Sequence, residues 1–179
     1  MILLGKQLYL QSMIRRSKIL DSKGISQKVN RLAWQIYENN SKENKIVIVG
    51  ISGRGEVLAS QLSKVINKIS LIKTKLGSIH LDKDNPFQNE IAIDLDVADY
   101  TNKVVVLVDD VLNSGKTLMY ASKHFLNAPL SKLSTVVLVD RNHNRFPIKA
   151  DYVGLSLATT LQEYISVVLD GNDQGVYLS

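Results

Sequence analysis

Cysteine is absent from this chain, and proline, tryptophan and histidine are scarce, at three, one and three residues. Without thiols neither a disulfide framework nor a thiolate metal site can form, so a reducing compartment, the cytoplasm, is expected. The histidines, His80, His124 and His143, are too scattered to suggest a metal cluster, and His124 is expected to be structural or solvent-exposed on a helix surface. No motif suggests a Ser-His-Asp arrangement. Nothing approaches the roughly 20 apolar residues that span a bilayer, so no membrane partner is expected. The opening MILLGKQLYLQSMIRR is broken by Lys6, Gln7 and Gln11 and has no basic leader, which makes it a poor signal peptide. Linkers, internal repeats and low-complexity tracts are also missing, so the 179 residues are expected to form one domain.

What is present is an ordinary globular composition, 45% apolar and 22% charged. The net charge of +5 permits attraction to phosphate-bearing ligands or RNA without demanding either, because the basic residues, Arg15 and Lys18 to Arg145 and Lys149, are spread along the chain. Val29, Leu32, Ala33, Ile36 and Tyr37 fall at helical spacing behind a candidate N-cap, Ser26, and before a stop at Asn39-Asn40. Trp34 lies one residue off that apolar face and is expected to be partly buried. KIVIVG, at 45–50, is a continuous apolar run that is too short for a helix and reads as a strand buried on both faces. Leu58, Leu62, Val65 and Ile66 repeat helically, and 69–76 reads as the next strand. The polar stretch 80–89 reads as a loop, and 91–95 as a short strand before VVVLV. Leu118, Ala121, Phe125 and Leu126 give another helix ending near Asn127 and Pro129, followed by a strand over 133–139 and shorter ones over 152–157, 165–169 and 176–178. Apolar strands alternating with amphipathic helices predict an α/β domain with a mainly parallel twisted sheet flanked by helices. In such sheets ligands bind beyond the carboxyl ends of the strands.

Two of those ends carry chemistry. GISGRG, at 50–55, joins a buried strand to a helix; its glycines let a ligand approach the backbone, the helix start offers unpaired N–H groups, and Arg54 adds positive charge. A plain turn needs one glycine, not two bracketing an arginine. The second end is VDDVLNSGKT, at 108–117. A triphosphate loop would need glycine at position 110, which is Asp110. Two adjacent carboxylates cannot both enter the core without severe cost, so they are expected to accept sugar hydroxyls or hold magnesium through water, while Ser114, Gly115, Lys116 and Thr117 present N–H groups and hydroxyls to one phosphate. The pattern reads as a ribose-and-phosphate site.

VDDVLNSGKT closely resembles the phosphoribosyl pyrophosphate (PRPP) signature of type I phosphoribosyltransferases: apolar strand, two acids, two apolar residues, a variable residue, then a small hydroxyl residue, Gly, a basic residue and Thr. ILDSKGI at 19–25 and LVDRNHNRFPIKADYVG at 138–154 are similar to segments of the pyrimidine operon attenuator and uracil phosphoribosyltransferase family. The resemblance covers 19–179 as the phosphoribosyltransferase domain and leaves 1–18 as an N-terminal extension it does not place. It implies a small hood region beside the sheet and a homodimer. It implies that Asp109 and Asp110 bind the ribose hydroxyls directly or through magnesium, that Asn113, Ser114, Gly115, Lys116 and Thr117 wrap the 5′-phosphate, and that Ser52, Gly53, Arg54 and Gly55 hold the pyrophosphate. Lys83 would belong to a flexible flap, and Val139, Asp140 and Arg141 would sit beside the base. The catalytic set is then Asp109, Asp110, Arg54 and Lys83, because displacing pyrophosphate needs cations on the leaving group and exclusion of water.

Asn113 replaces the aspartate with which purine-using relatives handle a proton, and the tyrosine usual in attenuators. Asparagine cannot act as that base, which favours a pyrimidine, with uracil as the expected substrate and UMP as product. The attenuators also bind messenger RNA. His143, Arg145 and Lys149 are the matching candidates here, but Asn144 and Lys149 stand where arginine is common and ATTL at 158–161 replaces a Pro-Thr-Ser-Arg-like run. RNA affinity falls steeply as phosphate contacts are lost. A nucleotide-sensing RNA-binding regulator, or a transferase for another base, are the alternatives that a base panel and salt-dependent RNA binding separate.

Overall fold

A computed structural model of the protein describes residues 16–83, 85–87, 91–160 and 162–179. The readings made of the opening segment and Arg15, and of parts of the polar loop and of ATTL, lie outside these residues. The chain runs β1 (Ser17–Asp21), α1 (Ser22–Asn39), β2 (Lys45–Ile51), α2 (Arg54–Ile69), β3 (Lys73–His80), β4 (Ala92–Ile93), α3 (Val97–Tyr100), β5 (Val104–Leu112), α4 (Lys116–Phe125), β6 (Lys132–Asp140), β7 (Tyr152–Ser156), β8 (Ile165–Val168) and β9 (Gly175–Leu178).

The central sheet has the order β4-β3-β2-β5-β6-β7. All its pairs are parallel except β3 with β4. Because side chains alternate along a strand, Ile46 and Ile48 of β2 enter one core with Leu32 and Ile36 of α1 and Leu58, Leu62 and Ile66 of α2. Val47 and Val49 enter the other, with Leu118, Ala121 and Phe125 of α4 and Tyr100 of α3. Each large aliphatic side chain so buried contributes about 1.5–3 kcal/mol relative to exposure. The chain leaves β2 for β3 on one side and returns to β5 on the other, so strand order reverses between β2 and β5 and opens a crevice at their carboxyl ends. A three-stranded antiparallel sheet, β1-β9-β8, forms the hood, and its Val167 and Val176 join the first core.

Several boundaries differ from expectation for physical reasons. The N-cap of α1 is Asp21, not Ser26: Asp21 Oδ1 accepts the Gly24 N–H at 2.7 Å, one turn earlier. Residue 69 ends α2, and the strand expected over 69–76 is Lys73–His80, in register with β2 from Lys45↔Lys73. The short strand expected over 91–95 is only Ala92–Ile93, since Leu95 turns into the second core. β5 does not stop at its paired acids but continues to Leu112. The boundary between 18 and 19 falls inside β1, where Ser17 and Lys18 pair with Leu178 and Tyr177. Trp34 is 47% exposed rather than partly buried, edge-on to Tyr37. His124 is half-buried, and burial lowers its pKa. Among the described residues, no helix is long and apolar enough to cross a membrane.

Candidate active site

Asp109 and Asp110 occupy the last turn of a strand whose earlier residues are sealed on both faces, so both carboxylates inherit a dry setting at the crevice. Burial, and then the charge of Asp110, push the Asp109 carboxyl up to about 7. Lys83 works the other way, with Nζ 3.8 Å from Asp109 Oδ1. Asp109 Oδ1 also accepts the Asp110 N–H at 3.0 Å. Arg54 Nε stands 2.8 Å from Asp110 Oδ2, at an angle that makes no hydrogen bond. The same guanidinium donates from Nη1 to Val167 O of the hood at 3.2 Å.

Beyond Leu112 the chain turns into α4 through Asn113, Ser114 and Gly115. Gly115 has φ 82°, and a Cβ there would lie 2.7 Å from Ile148 Cγ2, so both backbone and space require glycine. The turn is braced from behind: Ser114 O accepts the N–H groups of Arg145 at 2.9 Å and Phe146 at 3.0 Å. Its front opens into a cavity of about 280 Å³ lined by Lys83, Asp109, the whole run 111–118 and Val137. Lys116 and Thr117 begin α4 and line this space at the positive end of the helix dipole, with the Lys116 N–H donating to Ser114 Oγ at 3.3 Å.

At the neighbouring strand end, Ser52 to Gly55 join β2 to α2. Gly55 lets this turn touch β5, since a Cβ there would lie 2.8 Å from Val108 O. Ser52 N–H donates to Ile79 O at 2.9 Å, and the Glu56 carboxylate accepts the Gly53 N–H at 3.1 Å.

The end of β6 departs from expectation. Val139 is fully buried in the first core, so its side chain cannot contact a base. Asp140 Oδ1 accepts the Asn142 N–H at 2.8 Å, and Asp140 O accepts the Leu157 N–H at 2.8 Å. Arg141 is buried and spends its donors on the segment leading to the hood: Nε on Thr159 Oγ1 at 3.2 Å, and Nη2 on Thr160 O at 3.4 Å and Glu163 O at 2.5 Å. It positions that wall rather than presenting a charge to a base. His143 donates from Nε2 to Thr159 O at 2.6 Å, so this nitrogen is committed inside the protein and is not offered to RNA. Arg145 and Lys149 are exposed. The geometry therefore unites Asp109, Lys83 and the run from Asn113 to Thr117 in one cavity, with Asp110, Arg54 and Ser52–Gly55 beside it. Sequence reasoning missed Glu56, whose only signal is its place one residue after Gly-Arg-Gly.

Residues 15–168 match the family model described as the phosphoribosyl transferase domain. The bifunctional protein PyrR of Clostridium acetobutylicum is 37% identical over 166 residues, covering 89% of this chain and 93% of that protein. Bifunctional protein PyrR of Staphylococcus aureus strain bovine RF122 is 35% identical over 164 residues, with 87% and 93% covered. The hypoxanthine phosphoribosyltransferase of Trypanosoma cruzi superposes with a TM-score of 0.75 at 16% identity, covering 90% of this chain and 95% of that one. For the hypoxanthine-guanine phosphoribosyltransferase of Bacillus anthracis the score is 0.73 at 22% identity, with the same coverage. At those identities the two structures establish the fold.

Proposed function

The chain belongs to the phosphoribosyl transferase domain family and is a phosphoribosyltransferase, and from that premise we propose that it joins uracil to PRPP, releasing UMP and pyrophosphate. One observation carries the reading: Asp109, Lys83 and the Asn113–Thr117 turn line a single cavity, so polyol acceptors and phosphate donors face one space, as a phosphorylated pentose requires. In this reading the 5′-phosphate sits on the turn and start of α4, the ribose hydroxyls donate to Asp109 and Asp110, and the pyrophosphate lies over Ser52–Gly55. The uracil nitrogen forms its bond to the anomeric carbon as the bond to pyrophosphate breaks, and the nitrogen's proton passes to solvent. Positive charge on the sugar and negative charge on the leaving group grow together, so carboxylates below and cations above are placed to favour the transition state. Arg54 and Lys83, beside Asp110 and Asp109, are the cations that would exchange those partners for the leaving group.

Magnesium fits this donor set. Among the described residues no cluster of three or more ligating side chains exists, but two buried carboxylates at one strand end, whose burial and mutual repulsion raise the Asp109 pKa to about 7, suit a hard cation that would relieve that repulsion and take its remaining oxygens from PRPP and water. When bound, the ion would neutralise the growing charge of the pyrophosphate. Asn113 borders the cavity without a basic group, which favours a pyrimidine. As with other members of its fold, the chain is proposed to act as a homodimer, which sedimentation velocity at micromolar concentration would check.

A second reading has its own support. Two relatives are named bifunctional, and Arg145 and Lys149 are exposed on the segment that braces the phosphate turn. An RNA-binding role for that segment would be sensed through the nucleotide. The experiment is a panel of bases with PRPP and magnesium, beside RNA binding at two salt concentrations. Turnover of uracil alone supports the proposal; tight, salt-sensitive RNA binding without turnover of any base replaces it with the regulator.

A further inference from the structure

Glu56, the third residue of α2, faces two ways. Its Oε2 accepts the Gly53 N–H at 3.1 Å, while its Oε1 accepts the Ser78 hydroxyl and lies 3.8 Å from His80 Nε2. His80 Nε2 is in turn 3.0 Å from Ser78 Oγ. The Ser78 hydrogen bond foremost, with help from Gly53, His80 and Lys83, holds the Glu56 carboxyl below its ordinary range against the opposing effect of burial. Around this cluster, Asp94 Oδ1 accepts the Ser78 N–H at 2.6 Å from the β4 side, and Arg54 points away toward Asp110. The protein thus seats one anion of its own, the Glu56 carboxylate, on a backbone N–H of the loop read above as the pyrophosphate seat.

That N–H cannot serve Glu56 and a phosphate oxygen at full strength together, and two anions at such distance repel. We propose that Glu56 is an internal competitor of the leaving group, which gives up the Gly53 N–H and rests on Ser78 and His80 when pyrophosphate binds, and returns to help expel it. The proposal rests on the phosphoribosyltransferase reading and sharpens it, by assigning to one side chain the setting of pyrophosphate affinity independently of the nucleotide half of the site. The arrangement is more than a helix cap. Glutamine at this position would cap the Gly53 N–H as glutamate does, so the substitution removes the charge while keeping the cap.

Glu56→Gln therefore separates the two roles. Calorimetry at fixed pH and magnesium is expected to give about fivefold tighter binding of inorganic pyrophosphate and of PRPP, with UMP affinity unchanged and the melting temperature lowered slightly by loss of the first-turn charge. His80→Asn is expected to weaken pyrophosphate about threefold in the wild-type background and to have no effect beside Glu56→Gln, because the receiving partner then has no charge to hold. Should Glu56→Gln misfold, Glu56→Asp, which keeps the charge but draws it back from Gly53, is expected to tighten pyrophosphate too. Unchanged pyrophosphate affinity in folded variants overturns the proposal, as does equal tightening of UMP, which would mark a general charge effect. A wild-type protein that binds neither PRPP nor UMP overturns the functional reading and this proposal with it.

Discussion

The two turns that flank the crevice are built on opposite plans. The β5–α4 turn is braced from behind by Arg145 and Phe146 and wedged at Gly115 against Ile148, with its open face toward the cavity. The β2–α2 turn carries the protein's own ions, with Glu56 on Gly53 and Arg54 held between Asp110 and Val167. The first is preorganised to receive an anion, while the second must exchange internal partners for one. A site that must bind a nucleotide firmly and still release pyrophosphate gains from that asymmetry, since the group that stays meets a fixed cradle and the group that leaves meets a competitor.

The largest effect is expected where both halves meet. Asp109→Asn should lower turnover about 100-fold or more, while raising the melting temperature of the ligand-free protein at pH 8. The sign follows from linkage: a carboxyl raised from 3.8 to about 7 in the folded state costs almost nothing at pH 3, where it is protonated both folded and unfolded, and its cost grows as pH rises from about 4 toward 7. At pH 3 the stabilisation should all but vanish; finding it undiminished there would show that burial and repulsion of the charge are not its source. Next, Gly115→Ala forces a left-handed backbone on alanine, at roughly 1–2 kcal/mol, and drives its Cβ toward Ile148. UMP binding should fall about tenfold while pyrophosphate binding holds, and equal loss of both would erase the distinction between the turns.

A smaller change is expected from Arg141→Met, which strips the donors from the Thr159–Glu163 wall. Denaturant melts should show a loss of about 2–3 kcal/mol, and the KM for uracil should rise severalfold with that for PRPP nearly constant. Least of all, replacing Arg145 and Lys149 together with alanine should reduce the slope of RNA affinity against salt by about 1–2 where RNA binds at all. The backbone brace from Arg145 and Phe146 to Ser114 survives the change, so UMP affinity is expected to stay put.

The parts of the fold visible in the sequence were those with one strong cause. Continuous apolar runs announced β2, β5 and β6, and glycine with small polar residues announced both turns, because nothing in the tertiary structure competes with those signals. β3 was displaced because it is half-exposed, its Lys73, Lys75 and Leu76 giving no clean alternation, and Ile69 is claimed by the helix before it. At the end of β6, pattern alone does not decide parity: the resemblance puts Val139 and Arg141 alike beside the base, yet one side chain faces the core and the other reaches three acceptors some 20 residues on. Glu56 was invisible for a related reason. Its partners Ser78 and His80 come from the neighbouring strand, and only the β2–β3 register brings them together.

β1 has as its partner β9, so a strand at Ser17–Asp21 stays unzipped until Gly175–Leu178 has been synthesised. On the ribosome the six-stranded sheet can assemble first, and the hood that packs on its first core arrives last. A nascent chain arrested shortly before those codons would hold a folded central sheet without its hood. Loss of a few residues from either of these strands should therefore produce the same lesion.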